Sequence, residues 1–433
     1  MKSLWQNNTE FKKFNRLYSD LKTDVLIIGG GIAGILCAYE LDKAGVDYAL
    51  VEQGRICEGV TPNTTAKITA QHGLIYNKLE KEFSLDFAKK YLIANQSAIN
   101  RYRELSLKFE CDFEEKPNYV YSVNDYKKLE KELYTLNKMD YIAEFVNNIP
   151  LPLSNAGAIK FDRQAQFNPL KLLSQLSENL NIYENTKVYD IDGNTALANG
   201  GRITADNIIV VTHFPFINRH GSYFLKMYQH RSYVIALDNG EQLDGMYVDE
   251  AEGGLSFRNY GKYLMLGGCG VRTGGNCGGW KELEQFATLH YPESEICYQW
   301  ATQDCMTLDG IPYIGKYSRL TNNLFVATGF NKWGMTSSMV ASKILTDLVL
   351  GKENDYKDIF SPSRTMMRPQ LAVNSFEAVK NLCSFSPKRC SHLGCALKWN
   401  REEHTWDCPC HGSRFDKEGN ILDNPAVKPI KDN

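Results

Sequence analysis

Apolar and polar positions along this chain follow two periods, and the switches between them mark its elements. A β-branched apolar run, Val25 to Ile28, gives way to a glycine cluster and then to a helical pattern over Ile32 to Ala44. Gly45 stops that helix and a second apolar run ends at Val51-Glu52, so this stretch reads as a βαβ unit. From Leu79 to Met139, Leu, Phe, Tyr and Ile recur at helical spacing beneath charged faces, interrupted by a strand pattern over Tyr119 to Val123. Asn168-Pro169 opens another helix, Leu170 to Leu180. Residues 181–192, 208–212, 232–237, 254–258 and 263–267 then read as strands, the later ones separated by turn residues as in an antiparallel sheet. Leu324 to Thr328 is a last buried strand, followed by a turn from Gly329 to Gly334 and a helix from Met335 to Leu350, closed by Gly351. Residues 352–370 lose the periodicity and read as a linker or a strap across the surface.

At 433 residues the chain has room for two or three domains. A formal net charge of -2 leaves no electrostatic footprint for nucleic acid or an anionic membrane, which points to small-molecule chemistry. No apolar leader follows the first basic residues and no run reaches bilayer length, so the expected location is cytoplasmic, without membrane insertion. Cys37, Cys57, Cys111, Cys269, Cys277, Cys297 and Cys305 are scattered, as inert small hydrophobes usually are. Cys390, Cys395, Cys408 and Cys410 crowd into one short stretch and need a chemical explanation.

Gly29, Gly31 and Gly34 form G-x-G-x-x-G at the junction of strand and helix, where backbone amides and the helix N-terminus can receive a pyrophosphate. Glu52 ends the second strand, at about the twenty-residue distance from which an acid reaches the adenosine ribose hydroxyls. NAD and FAD share this fingerprint, and a glycine turn without ligand is the bland alternative. Its companions decide: residues 309–315 and 323–336 supply a second glycine turn at a helix N-terminus. Together these residues resemble the D-amino-acid-oxidase/glycine-oxidase class of FAD-dependent oxidoreductases, over roughly residues 20–351. The resemblance implies that Gly329, Gly334, Met335 and Thr336 meet the flavin ring or ribityl chain, that Thr64 and Thr65 lie near the flavin, and that Val188 contacts the adenine side. A polar N-cap is the other reading of Thr64 and Thr65.

Cys390-Ser-His392 and Cys408-Pro-Cys410-His411 offer one Cys and one His from each of two loops, the donor set of a [2Fe-2S] cluster with two cysteines on one iron and two histidines on the other. C-x-H-L-G-C and C-P-C-H-G-S stand here in full and resemble the Rieske family, its cytochrome-bc-complex branch in particular. That resemblance implies Cys390 and Cys408 on one iron, His392 and His411 on the other, and a Cys395–Cys410 disulfide. A structural zinc site and a segment that binds nothing are the alternatives. Only about twenty residues separate the linker from Cys390, so the strands that usually frame a Rieske cluster are cut short. Either the flavin domain supplies their support or the cluster is labile.

The combined order, with Thr64 to Gly73 between the two motifs, resembles a bacterial family of Rieske flavoproteins. The expected fold is α/β, α+β overall: an FAD-binding Rossmann-like domain (23–78, 155–215 and 301–351), an antiparallel-sheet substrate domain (79–154 and 216–300), an N-terminal extension (1–22), a linker (352–375) and a small all-β Rieske segment (376–433). The expected function is oxidation of an amine or amino acid by hydride transfer to FAD, with electrons passing through the cluster to an unknown acceptor. A non-catalytic redox sensor is the alternative, and no 2-His-1-carboxylate set supports an oxygenase. If the substrate carries a carboxylate, Arg231 and Arg258 are the candidates to grip it, with Trp333, His72 and His213 lining the site.

Overall fold

The computed structural model describes residues 2–7, 9–275 and 277–430; Met1 and 431–433, the outer ends of the first and last expected units, lie outside them. Leu21–Ile28 forms the centre of a mainly parallel sheet, flanked by Tyr48–Val51 and Gly201–Val210, with Leu324–Thr328 beyond the latter. This order is the βαβ pattern carried through: the strands read as continuous Val/Ile/Leu runs because both faces are buried, Val25 and Ile27 against helices and Leu26 and Ile28 against Val188, Ile191, Phe214 and Tyr223. Ile32–Lys43 and Gly334–Val349 pack together on one face of this sheet, and Gly329 and Gly334 bring the second helix N-terminus back beside the first. Gly34 is fixed by close approach, because a Cβ there would run into the carbonyl oxygen of Gly29.

A second sheet, mostly antiparallel, runs in the order Glu295–Thr307, Met227–Asp238, Tyr263–Arg272, Ser256–Tyr260, Met246–Asp249, Glu114–Ser122, Gly157–Gln166, Lys67–Ile68. Its membership differs from the expected boundaries. Gly157–Gln166 pairs along its whole length with Glu114–Ser122 and so belongs here, although 155–215 was assigned to the flavin domain. Glu295–Thr307 also continues past 300, because it pairs with Met227–Asp238 from end to end. Conversely the helix Leu85–Ser106, expected in the substrate domain, lies against Gly334–Val349: its inner positions Tyr91, Ala94, Ala98, Tyr102 and Leu105 recur at helical spacing, and the Tyr102 hydroxyl donates to the Met335 carbonyl at 2.9 Å.

The stretch 352–368 is a strap rather than a free linker. Ile359 and Phe360 are buried, and Arg364 forms an ion pair with buried Asp309 (Nε to Oδ2, 3.0 Å). A helix, Pro369–Cys383, then crosses the expected boundary at 375. Behind it come four short antiparallel strands, Lys398–Asn400, Thr405–Asp407, Arg414–Phe415 and Ile421–Asp423, which carry the cluster loops. Among the described residues no helix is long and apolar enough to cross a membrane.

Gly34→Ala should lose about 1–3 kcal/mol of stability through overpacking and release bound flavin; chemical denaturation, together with the flavin absorbance that survives gel filtration, checks it.

Candidate functional site

The two glycine turns and the second sheet enclose a cavity of about 720 Å³. Gly29, Gly31, Glu52, Thr64, Thr65, Val188, Gly329, Gly334 and Met335 all line it, as do His72, His213 and Trp333. Gly34 sits behind the wall against Gly29, and Thr336 turns away, its hydroxyl hydrogen bonded to the Thr69 carbonyl (3.2 Å) and to His72 Nε2 (2.9 Å). Glu52 accepts the backbone N–H of Gly30 (2.8 Å) and of Gly54 (2.9 Å), which ties the glycine turn to the second strand and leaves lone pairs for a ribose. Burial raises the pKa of Glu52, and those two N–H groups oppose the rise. Thr64 Oγ1 accepts from Ala66 N–H (2.9 Å), a local turn bond. His72 is buried between Tyr91 and Trp333, stacked on the latter at 5.0 Å, and burial drives its pKa down to about 3, so it is a neutral fixture of the wall.

Neither arginine candidate faces this space. Arg231 forms a two-pronged ion pair with Glu403 of the Rieske segment, Nε to Oε1 at 2.7 Å. Arg258 is wholly buried and donates to the carbonyls of Thr65 (2.7 Å) and Ala66 (2.8 Å) beneath the wall. Arg55 does line the cavity but pairs with Glu184 at 3.6 Å; two of the lysines there, which periodicity could not single out, stand nearest the chemistry. Lys332, in the flavin-side turn, donates to the Glu252 carbonyl at 3.1 Å near Asp304, whose carboxyl is pushed up to about 6 by burial. Lys67 hydrogen bonds to Thr65 Oγ1 (3.2 Å) and Ser256 Oγ (3.4 Å); burial first, and then the Arg258 charge, lower its pKa to about 7.

The cluster loops converge as the spacing implies. The Cys390 and Cys408 thiols hydrogen bond to each other, the His392 and His411 rings lie 5.0 Å apart, and Cys395 and Cys410 are disulfide bonded. Both histidines are held neutral, foremost by burial, and the Nδ1 atom of each is buried without a hydrogen-bond partner. Two orphaned imidazole nitrogens on adjacent rings, together with two adjacent thiols, fit the donor set of a cluster with histidines on one iron and cysteines on the other.

What replaces the missing strands is the second sheet. Four successive carbonyls of the second loop are capped by its side chains: Pro409 by Arg272 Nε (2.9 Å), Cys410 by Arg272 Nη2 (3.3 Å), His411 by Gln229 Nε2 (2.7 Å) and Gly412 by Gln303 Nε2 (2.8 Å). Asn424 adds Nδ2 bonds to the carbonyls of Thr212 (2.6 Å) and Phe214 (2.8 Å), and Asp423, Asn424, Ala426 and Val427 complete the cavity wall. His213, on that same wall, meets Gln229 Oε1 at 3.2 Å, so one glutamine spans from cavity to cluster loop.

Gln229→Leu strands the His411 carbonyl in a buried interface, a cost of about 1–3 kcal/mol. Iron should therefore leave the variant faster than the wild type under a chelator such as bathophenanthroline, while FAD stays bound; equal rates would show that the loop holds its shape unaided.

Residues 24–348 match the family model described as FAD dependent oxidoreductase, and 349–432 match the Rieske [2Fe-2S] domain. YhfW of Bacillus subtilis, named as a Rieske 2Fe-2S iron-sulfur protein, is 36% identical in an alignment covering 99% of this chain and 96% of its own. Glycine oxidase from Geobacillus kaustophilus (TM-score 0.68, 21% identity) and L-proline dehydrogenase from P. horikoshii (TM-score 0.66, 17% identity) share the fold over 80% of this chain and 100% and 98% of theirs. FAD is the cofactor of the one family and a [2Fe-2S] cluster that of the other. The chain belongs to the FAD-dependent oxidoreductases, as a member that carries a C-terminal Rieske domain.

Proposed function

We propose that this protein oxidises an amine, an amino acid above all, by hydride transfer to FAD, and that the electrons leave singly through its Rieske cluster to an external acceptor. The observation that carries this reading is the shared wall: both glycine turns, the second sheet and residues 423–427 of the Rieske segment border one space. Bound FAD supplies a two-electron hydride acceptor, and the cluster a one-electron outlet at roughly -150 to +300 mV, above plant-type ferredoxins.

The chain's own residues divide the remaining work. Gly29, Gly31 and the N-terminus of Ile32–Lys43 would take the pyrophosphate, Glu52 the ribose, Val188 the adenine side, and Gly329, Gly334 and Met335 the ring end. Cys390, Cys408, His392 and His411 would hold the irons. Lys332 takes the part first expected of an arginine: its ammonium, whose pKa burial lowers and the Asp304 and Glu252 carboxylates partly restore, would pair with a substrate carboxylate. Lys67, uncharged above pH about 7, would accept a proton from the entering ammonium group, so that the nitrogen lone pair can form C=N as the C–H bond breaks. Names of fold relatives that include an oxidase and a dehydrogenase of amino acids support that substrate class.

An anaerobic screen of amines and amino acids should find a substrate that bleaches the flavin absorbance, followed by the EPR signal of a reduced Rieske cluster. Rapid oxygen consumption that survives loss of the cluster would overturn the electron path. Lys332→Met should raise KM for a carboxylate-bearing substrate about tenfold or more, worth roughly 1.4 kcal/mol, and leave that for a simple amine unchanged.

The pH dependence follows from the lowered pKa of Lys67. Below about 7 it is protonated and cannot accept, so the rate of anaerobic flavin reduction should rise as pH increases through about 7. Lys67→Met should lose that limb and about tenfold or more in rate at pH 8, at the low end of what a positioned acid or base contributes; an unchanged profile assigns the limb elsewhere.

A further inference from the structure

The helix Pro369–Cys383 is amphipathic the wrong way round for a monomer. Its inward residues are polar: Asn374 accepts from Arg272 Nη1 at 3.0 Å and donates to the Leu225 carbonyl at 3.3 Å, and Asn381 is 1% exposed. Its outward residues are apolar: Val373, Phe376, Val379 and Leu382 are 49%, 67%, 61% and 45% exposed, and the stripe continues through Phe385 (95%) towards Leu393 (41%). Arg389 joins the two ends, donating to the carbonyls of Leu382 (3.1 Å) and Gly394 (2.9 Å). A surface helix ordinarily turns such a stripe inward.

We infer that this face is the interface of a homodimer, formed when a second copy of the chain lays the same helix across it. Three observations favour that occupant. At about 150–250 Å² per aromatic side chain, Phe376 (67% exposed) and Phe385 (95%) offer roughly 240–400 Å² between them, and the four aliphatic residues carry the patch towards the top of the roughly 300–600 Å² range of the largest patch on an ordinary monomer. With the polar atoms around them they approach the roughly 800 Å² that each partner of a standard interface buries. The helix itself is neutral, since it carries only Glu377 and Lys380, paired at 3.4 Å; the cations Lys388 and Arg389 follow it, and the Arg389 guanidinium is engaged by the carbonyls of Leu382, Ser384 and Gly394. A two-fold axis sets a surface against itself, so an apolar, neutral helix face is self-complementary where a strongly charged one would repel. An anionic bilayer would call instead for clustered Lys and Arg on the polar side. Finally, the segment beside the helix is short: six residues, 384–389, lead directly from the helix to Cys390, with no strand among them. The alignment with YhfW spans 490 positions against the 433 residues here, so at least 57 have no counterpart in this chain.

Sedimentation velocity on the full-length protein, purified with flavin and iron, should give a dimer at micromolar concentration. The double variant Phe376→Asp/Val379→Asp should sediment as a monomer with both chromophores retained. Cys383, exposed on the same face, gives a reading that needs no destabilising change: a short bismaleimide should join two wild-type chains, and Cys383→Ser should abolish the product. A monomeric wild type, a dimer that persists in the double variant, or a wild type that stays monomeric yet co-sediments with phosphatidylglycerol vesicles would each overturn the inference.

Discussion

Everything distinctive about this molecule depends on a row of four carbonyl groups. Residues 409–412 of the second cluster loop turn their oxygens toward the flavin half, and three side chains of its second sheet, Arg272, Gln229 and Gln303, satisfy all four. A loop curled around an iron-sulfur cluster cannot spend its backbone in a ladder, so the oxygens must find donors elsewhere or stay buried and unpaired. Each orphan would cost about 1–3 kcal/mol, comparable with a large part of a small domain's whole stability. Four short strands cannot meet that demand, and the sheet beneath them does.

The same interface is closed by charge at its rim. Glu403 lies between Arg231 and Arg414, and Arg414 also pairs with Asp407 (3.1 Å) and Asp423 (3.0 Å). A buried charge pair is weak evidence for stability but strong evidence for register, since displacing either side leaves an uncompensated ion. Arg231 therefore fixes where the Rieske segment sits, and a displacement of that segment would also open the cavity wall that Asn424 and Val427 complete. Cofactor cavity and cluster loops share one framework of contacts.

Motifs that carry chemistry were legible from the chain, and the surfaces between them were not. The βαβ unit, the glycine turns, Glu52, and the Cys and His residues stand at spacings that local geometry dictates, and the structure brings each set together. Sheet membership failed at 155–215 because pairing between Gly157–Gln166 and Glu114–Ser122 is a non-local choice with no local signature. Nothing in the sequence marks Lys67 and Lys332, because a lysine is ordinarily solvated; burial beside Arg258 in one case, and a place in the second glycine turn at the cavity in the other, are set by tertiary packing. Arg231 and Arg258 stand on strands as the sequence predicts, but nothing in the sequence shows that Glu403 engages the one and that backbone carbonyls engage Nε and Nη1 of the other, whose Nη2 stays buried without a partner.

The shortened framework connects these points. In a full Rieske domain the cluster loops are framed by several strands of their own. Here His411 is buried with Phe214 and Phe224 around its ring, and the second loop is sealed onto the sheet, whereas Ser391 and Leu393 of the first loop reach the surface. The capped carbonyls commit one side of the loop pair to the second sheet, so a partner approaching from solvent would meet the other side, beside His392 and Leu393. That constraint follows from which carbonyls are capped, and it would hold whatever substrate the cavity admits.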